Sequence, residues 1–255
     1  SMNILDQILE VKEKELQARN ISIVEIEAFG HVRSLKKALE GSKISVIAEI
    51  KMKSPSEGEI FPNADPVQIA RDYESAGASA ISVLTDEQFF GGSLEILESV
   101  RSAVSIPVLR KDFIIGVHQI MDAACAKADA YLLIAEALQN SQMAELFTFG
   151  NTLGLEAIVE FHDSDNIQRI AELNPSIVGV NCRDLNTMST DITHFKKMIL
   201  ALPPGSIKVA ESGIYSPDDL NYVADLGYDA ALVGTSLMKT GAPGKALEQL
   251  LRGLV

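Results

Sequence analysis

Residues 216–236 read SPDDLNYVADLGYDAALVGTS, and this stretch decides the fold. Ser216-Pro217-Asp218-Asp219 is a helix start, with a serine cap and proline at the first helical position, where its missing N–H costs nothing. Leu220, Val223 and Ala224 then share one helical face. Gly227 marks the helix end, because glycine readily takes the left-handed conformation that closes a helix. Ala230–Val233 follows as a short run apolar on both faces, the mark of a strand buried between two layers.

The same shape recurs along the chain. Ala76-Gly77-Ala78-Ser79-Ala80-Ile81, Ala126-Lys127-Ala128-Asp129-Ala130-Tyr131 and Leu226-Gly227-Tyr228-Asp229-Ala230-Ala231 each close a helix and feed a strand. Gly154 is a further helix-ending glycine. Short apolar runs lie at Val46–Ile50, Ala80–Leu84, Ile106–Leu109, Ala130–Ile134, Glu156–Val159, Ile177–Val180, Ile207–Ala210 and Ala230–Val233. Between them, Asp65-Pro66 and Ser93 start helices, the latter followed by Leu94, Leu97 and Val100. Eight strand–helix units predict an α/β fold, a single (β/α)8 barrel. An open doubly wound sheet is the alternative, disfavoured because no GxGxxG follows the first strand. Residues 3–40 read as helical, with Ile4, Leu5, Ile8, Leu9 and Val11 at helical spacing and a second helix over Ser34–Leu39. No linker divides the chain. The expected organisation is one domain over residues 1–255, with a helical N-terminal extension at 1–44 and the barrel at 45–255.

Composition narrows the function. The chain has 255 residues, 47% hydrophobic and 22% charged, which suits one barrel of this kind. Its net charge of −13 disfavours nucleic acid and anionic membranes as partners. No run approaches the roughly 18 apolar residues of a membrane span. The N-terminus lacks the basic and apolar regions of a signal peptide, and Ser1 ahead of Met2 reads as an expression remnant. Cys125 and Cys182 form no CxxC spacing, which fits a reducing compartment, the cytoplasm. A monomer is the expected state.

In such a barrel the C-terminal ends of the strands carry the chemistry. Reading outward from the apolar runs gives Glu49 and Lys51, then Ser54; Lys111; Glu160; Asn181 and Arg183; Glu211, Ser212 and Gly213; and Gly234 and Thr235. Glu49 and Lys51 are two apart on a strand, so they share a face. One such pair could be a structural ion pair. Three glutamates and two lysines at strand ends favour a functional site. Ser212-Gly213 and Gly234-Thr235-Ser236 are small and rich in backbone N–H, which suits a phosphate. Phe89, Phe90 and Phe113 are either core or the wall of an aromatic pocket. His118 and His194 read as exposed, and His162 as a supporting or solvent-facing residue. The histidines show no HxH or HExxH spacing, so no metal is expected. Cys182 reads as packed rather than nucleophilic.

These stretches resemble one family. IAEIKMKSPS at 47–56, Leu84-Thr85-Asp86 through Phe90-Gly91-Gly92-Ser93, PVLRKDF at 107–113, GVNCRDL at 179–185, VAESGI at 209–214 and LVGTSLM at 232–238 are similar, in order, to signatures of the indole-3-glycerol phosphate synthases. Met52, Glu57 and Cys182 depart from the pattern without removing a site residue. The resemblance implies ring closure, decarboxylation and dehydration of 1-(2-carboxyphenylamino)-1-deoxyribulose 5-phosphate, with no cofactor or metal. It implies Lys111 as the acid at the ribulose carbonyl and Glu160 as acid/base partner in the loss of water. Lys51 would bind the anionic substrate and supply a proton in dehydration, while Glu49, Asn181, Glu211 and Ser212 orient these groups. Arg183 and Ser54 would hold the anthranilate carboxylate, and Phe90, Phe113, Leu132, Ile134 and Leu185 would line the aromatic pocket. Gly213, Gly234 and Thr235 would take the phosphate. Two other readings stand beside this one: a Schiff-base aldolase using Lys111 or Lys51, and a non-catalytic sugar-phosphate-binding module or pathway subunit.

Overall fold

The computed structural model describes residues 2–18 and 32–255. Eight parallel strands close into a barrel: β1 (Ser45–Ile50), β2 (Ala80–Leu84), β3 (Val108–Lys111), β4 (Ala130–Ile134), β5 (Glu156–Phe161), β6 (Ile177–Asn181), β7 (Ile207–Glu211) and β8 (Ala230–Val233). Each pairs with its neighbours in sequence, and β8 closes on β1 with Ser45 opposite Ala230. Side chains alternate across the wall, as a two-residue period requires. Ile47, Leu109, Leu132, Ile158, Ile177, Val209 and Leu232 fill the interior. Val46, Ala48, Val83, Leu133, Val159, Val180 and Val233 face outward under the helices.

All eight predicted runs are strands; Ala80–Leu84, Ala130–Ile134 and Ala230–Val233 keep their expected bounds, and the ends of the other five move. The third begins two residues later than expected, at Val108, and runs to Lys111. Pro107 offers no N–H to the ladder, which accounts for the later start. The fifth, sixth and seventh strands extend past the apolar runs to include Glu160, Asn181 and Glu211. These polar side chains therefore stand on hydrogen-bonded backbone rather than on loops.

The internal repeat has a physical basis. Gly77 and Gly227 take left-handed φ angles of 110° and 109° at the ends of their helices. Asp129 and Asp229 then each clamp a neighbouring strand: the Asp129 carboxylate accepts from Val108 N–H and that of Asp229 from Lys208 N–H, both at 2.8 Å.

The extension covers both ends of the barrel. Helix α1 (Ile4–Gln17) lies across the C-terminal mouth, with Leu5 and Ile8 buried in the cluster that contains Phe113, Leu132 and Ile134. Lys12 on this helix is buried and ion-paired with Asp86 and Asp112, the latter at 3.2 Å. Helix α2 (Leu35–Leu39) closes the opposite end, where Leu35 and Leu39 join the cluster of Ala80, Ala130, Ile207 and Ala230. Lys36 N–H reaches the Glu156 carboxylate at the start of β5. The part of the predicted helical stretch at 19–31 lies outside the described residues. Among the described residues, no helix is long and apolar enough to cross a membrane.

Lys127 occupies the place that glycine takes in the other two repeats, at φ 66°. A side chain there carries a left-handed penalty, partly offset by the extra freedom glycine has when unfolded. Lys127→Gly is expected to stabilise the barrel by about 0.5–1 kcal/mol, read as a higher urea midpoint at unchanged slope. A lower midpoint contradicts this reading.

Candidate active site

The site is organised around Glu49, which is fully buried near the end of β1. Its Oε2 lies 3.1 Å from Lys111 Nζ on β3 and accepts a 2.7 Å hydrogen bond from Ser82 Oγ on β2. Its Oε1 lies 3.0 Å from Lys51 Nζ, an ion pair without the alignment of a hydrogen bond. One carboxylate thus holds two ammonium groups. Burial alone would raise the Glu49 pKa, but the Lys111 and Lys51 charges outweigh it and bring it down to about 2.

The two lysines differ. Burial lowers the Lys51 pKa, and the Glu49 carboxylate does not fully compensate because Lys111 and Arg183 add like charge. At Lys111, burial also acts downward, but Glu49, Glu211 and Glu160 outweigh it and the pKa rises. The clustering that lowers a lysine pKa therefore acts on Lys51 alone. Lys111 is held as a cation.

Asn181 and Ser212 form the next group. Ser212 Oγ donates to Asn181 Oδ1 at 2.8 Å, and Arg183 N–H donates to the same oxygen at 3.0 Å. Ser212 and Gly213 both have positive φ, 69° and 75°, which turns the chain sharply after β7. The Arg183 guanidinium reaches Ser56 Oγ at 3.4 Å and Thr190 Oγ1 at 3.2 Å. Lys51 Nζ lies 3.5 Å from Thr235 Oγ1.

These residues border two joined chambers. The first is largely apolar, with Phe90, Phe113, Leu132, Ile134 and Leu185 in its wall, and Glu160 and Ser54 on its polar side. The Phe90 and Phe113 rings stack at 6.0 Å and 28°. The second is polar, lined by Glu49, Glu211 and the turns Gly213–Ile214 and Gly234–Thr235. Lys51, Lys111, Asn181, Arg183 and Ser212 border both. Apart from Phe89, every candidate residue drawn from the strand ends and the aromatic wall thus lies at this mouth. Gly234 also packs on the glutamate: a Cβ there would sit 2.8 Å from Glu49 Cβ.

Several contributors were not foreseen. Ile4, Leu5 and Ile8 of α1 close the apolar chamber, and Ser56 and Met188 also line it. The helical spacing of the first three was legible, but nothing local says which surface an amphipathic helix covers. Ser82 had a signal, a lone hydroxyl at an inward position of an apolar strand. Phe89 packs beside the interior cluster rather than lining either chamber.

The histidines correct the sequence reading. His118 and His194 are half-buried, not exposed. The His194 ring stacks on His162 at 4.3 Å, and its Nε2 lies 2.6 Å from the His162 carbonyl. His162 Nδ1 lies 2.7 Å from the Asn181 carbonyl, so it supports the end of β6. Cys182 is buried as expected, and burial pushes its thiol up to about 12, which leaves it protonated at neutral pH.

Comparison with known proteins gives one family. The sequence profile of the family "Indole-3-glycerol phosphate synthase" matches residues 5–250. "Indole-3-glycerol phosphate synthase 1" of Streptomyces coelicolor is 41% identical, the match covering 98% of this chain and 95% of that protein. The enzyme of that family from Mycobacterium avium is 42% identical over 97% of this chain and 93% of its own. Among solved structures, a thiamine phosphate pyrophosphorylase from Pyrococcus furiosus superposes with a TM-score of 0.62 at 17% identity, over 86% of this chain and 97% of that one. A mandelate oxidase variant gives 0.60 at 16% identity, over 90% and 74%. These two likenesses are of fold alone.

The Glu49 environment sets a pH dependence. Its folded pKa, about 2, lies below the ordinary 4.5, so its contribution is fully present above 4.5 and is lost as pH falls toward 2. The shift corresponds to roughly 3 kcal/mol. Glu49→Gln is expected to lower stability at neutral pH by at least about that amount, since it also leaves two ammoniums uncompensated. Urea unfolding should show the gap between wild type and variant narrowing below pH 4.5. A gap that stays constant on acidification contradicts the assignment.

Proposed function

This chain belongs to the indole-3-glycerol phosphate synthase family, and we propose how its barrel mouth performs that reaction. The substrate is 1-(2-carboxyphenylamino)-1-deoxyribulose 5-phosphate, and the products are indole-3-glycerol phosphate, carbon dioxide and water. The observation that carries the proposal is the pair of chambers joined through Lys51 and Lys111. An apolar chamber beside an amide-rich one matches a molecule with an aromatic ring at one end and a phosphate at the other.

The anthranilate ring lies between Phe90, Phe113, Leu132, Ile134 and Leu185, with its carboxylate toward Arg183 and Ser54. The phosphate docks at Gly213, Gly234 and Thr235, where tight turns and the first amides of a short helix leave N–H groups free to donate. The ribulose carbonyl then lies near Lys111. As the ring carbon bearing the carboxylate attacks it, the oxygen gains charge, and Lys111 gives it a proton. An alkoxide is far more basic than an amine, so a firmly protonated lysine is still a competent acid here. Loss of carbon dioxide restores the aromatic ring.

Dehydration follows. Glu160 removes the proton next to nitrogen, and Lys51, whose pKa is lowered, protonates the departing hydroxyl. Glu49 holds both lysines in place, while Asn181, Ser212 and Glu211 orient the substrate hydroxyls. The raised pKa of Lys111 argues against the aldolase reading at that residue, because a Schiff base needs a neutral amine. Every group invoked comes from one chain, so we take the working unit to be a monomer. The free thiols of Cys125 and Cys182 suit the cytoplasm.

Lys111→Ala and Glu160→Gln should each lower kcat by about 10²–10⁴-fold while retaining much of the substrate affinity. Without Lys111, unreacted substrate persists, because closure itself is slowed. Without Glu160, a species that has lost carbon dioxide but not water accumulates. Quenched single turnovers analysed by mass distinguish the two. Near-normal turnover in Lys111→Ala would transfer the acid role to Lys51.

A further inference from the structure

Glu160 and Glu211 stand on strands separated by β6. Across the sheet, Glu160 is in register with Gly179, and Glu211 with Asn181, two residues further along β6. Both glutamates are buried, at 3% and 2% exposure. The Glu211 carboxyl fills the place that a side chain at Gly179 would take, which sets it beside Glu160 on the inner face of the barrel. No donor among the described residues bonds either oxygen of Glu211. Gly179 makes this possible: a Cβ there would lie 2.2 Å from Glu211 Oε2 and 3.2 Å from Ile158 Cγ2. A separation of 2.2 Å cannot be accommodated without displacing the carboxyl group.

Two ionised carboxylates offer acceptors only, so the contact between them is favourable only when one carries a proton. We infer that Glu160 and Glu211 share a single proton in the resting barrel, and that Gly179 is the positioning residue whose missing side chain lets the pair form. Lys111 from β3, Lys51 and Glu49 from β1, Arg183 beyond β6 and Tyr215 beyond β7 are the other ionisable groups bordering the polar chamber beside Glu211. Burial and the Glu160 carboxylate both raise the Glu211 pKa.

This deepens the proposed function, resting on the role of Glu160 as base. In dehydration the ionised member of the pair takes the proton leaving carbon. An ammonium gives a proton to the departing hydroxyl, and water leaves. The pair, now holding two protons, returns one to that amine, so dehydration leaves the proton count unchanged, and the proton that Lys111 gives up in ring closure is replaced from solvent. A shared proton also keeps Glu211 from competing with Glu49 for Lys111 as a second full negative charge.

The proton count belongs to the resting protein and can be read without substrate, so its failure is distinct from failure of the assigned reaction. The experiment is infrared spectroscopy of the protein with 13C-labelled glutamate at about pH 8.5, where ordinary carboxyls are ionised. Glu136, raised to about 7 by burial, is mostly ionised there too, and Glu136→Gln is the control. The expected result is a protonated-carboxyl stretch in wild type and in Glu136→Gln that is lost in Glu211→Gln. Folded Gly179→Ala should lose or strongly weaken it; if that variant does not fold, Glu211→Gln decides alone. In activity, the alkaline limb of the kcat profile assigned to loss of the shared proton should disappear in Glu211→Gln. No such stretch in wild type, or one that survives in Glu211→Gln, overturns the shared proton. A stretch unchanged in folded Gly179→Ala overturns the role of the glycine.

Discussion

The contact of one buried carboxylate with two ammonium groups is the constraint on which the site depends. Glu49 has no exposure, and charged groups removed from water are costly unless paired. Lys51 and Lys111 offset that cost, and in doing so they are fixed about 3 Å from one carboxylate, pointing into the mouth. The shared partner does not make them alike. Lys111 also faces Glu160 and Glu211 and is held charged, whereas Lys51 lies nearer Arg183 and gives up its proton more readily. Two lysines with different proton affinities, on strands that cannot shift independently, suit a reaction that needs two separate proton donations.

The rest of the molecule supports that arrangement. Inward side chains below Glu49 are apolar and packed, so the charged layer rests on a rigid floor of Ile47, Leu109, Ile158 and Val209. Above it, α1 closes the apolar chamber with Ile4, Leu5 and Ile8. The anchor of that helix is itself electrostatic. Burial acts to lower the Lys12 pKa, but Asp112 and Asp86 outweigh it, so the ion pair persists at neutral pH. Asp112 adjoins Lys111 in sequence, which ties the cover of the site to the strand that carries Lys111.

Much of this was legible in the sequence because its signals are local. A proline after a capping serine, a glycine before an apolar run and a two-residue alternation each report on a few neighbouring residues, and eight repetitions fix the topology. The same alternation put Glu49 and Lys51 on one face. Less legible were features that depend on what lies across space. The placement of α1 over the mouth, the partnership of His162 with His194, and the clearance that Gly179 gives Glu211 join residues far apart in sequence. The apolar runs stop one residue or more short of the ladder at Glu160 and Glu211, because polarity interrupts the local pattern, but both residues stand at the strand ends where the sequence reading put them. The split between the lysine pKa values depends on the summed field of three other strands.

The central claim is that this mouth closes an indole ring, and the most direct measurement follows the ring itself. The purified protein is mixed with 1-(2-carboxyphenylamino)-1-deoxyribulose 5-phosphate, and indole fluorescence and carbon dioxide are recorded together. The account predicts that both appear with repeated turnover, one carbon dioxide for each indole formed, in a metal-chelated buffer with no added cofactor. Tight binding of the substrate with neither signal, or carbon dioxide release without indole, would contradict it.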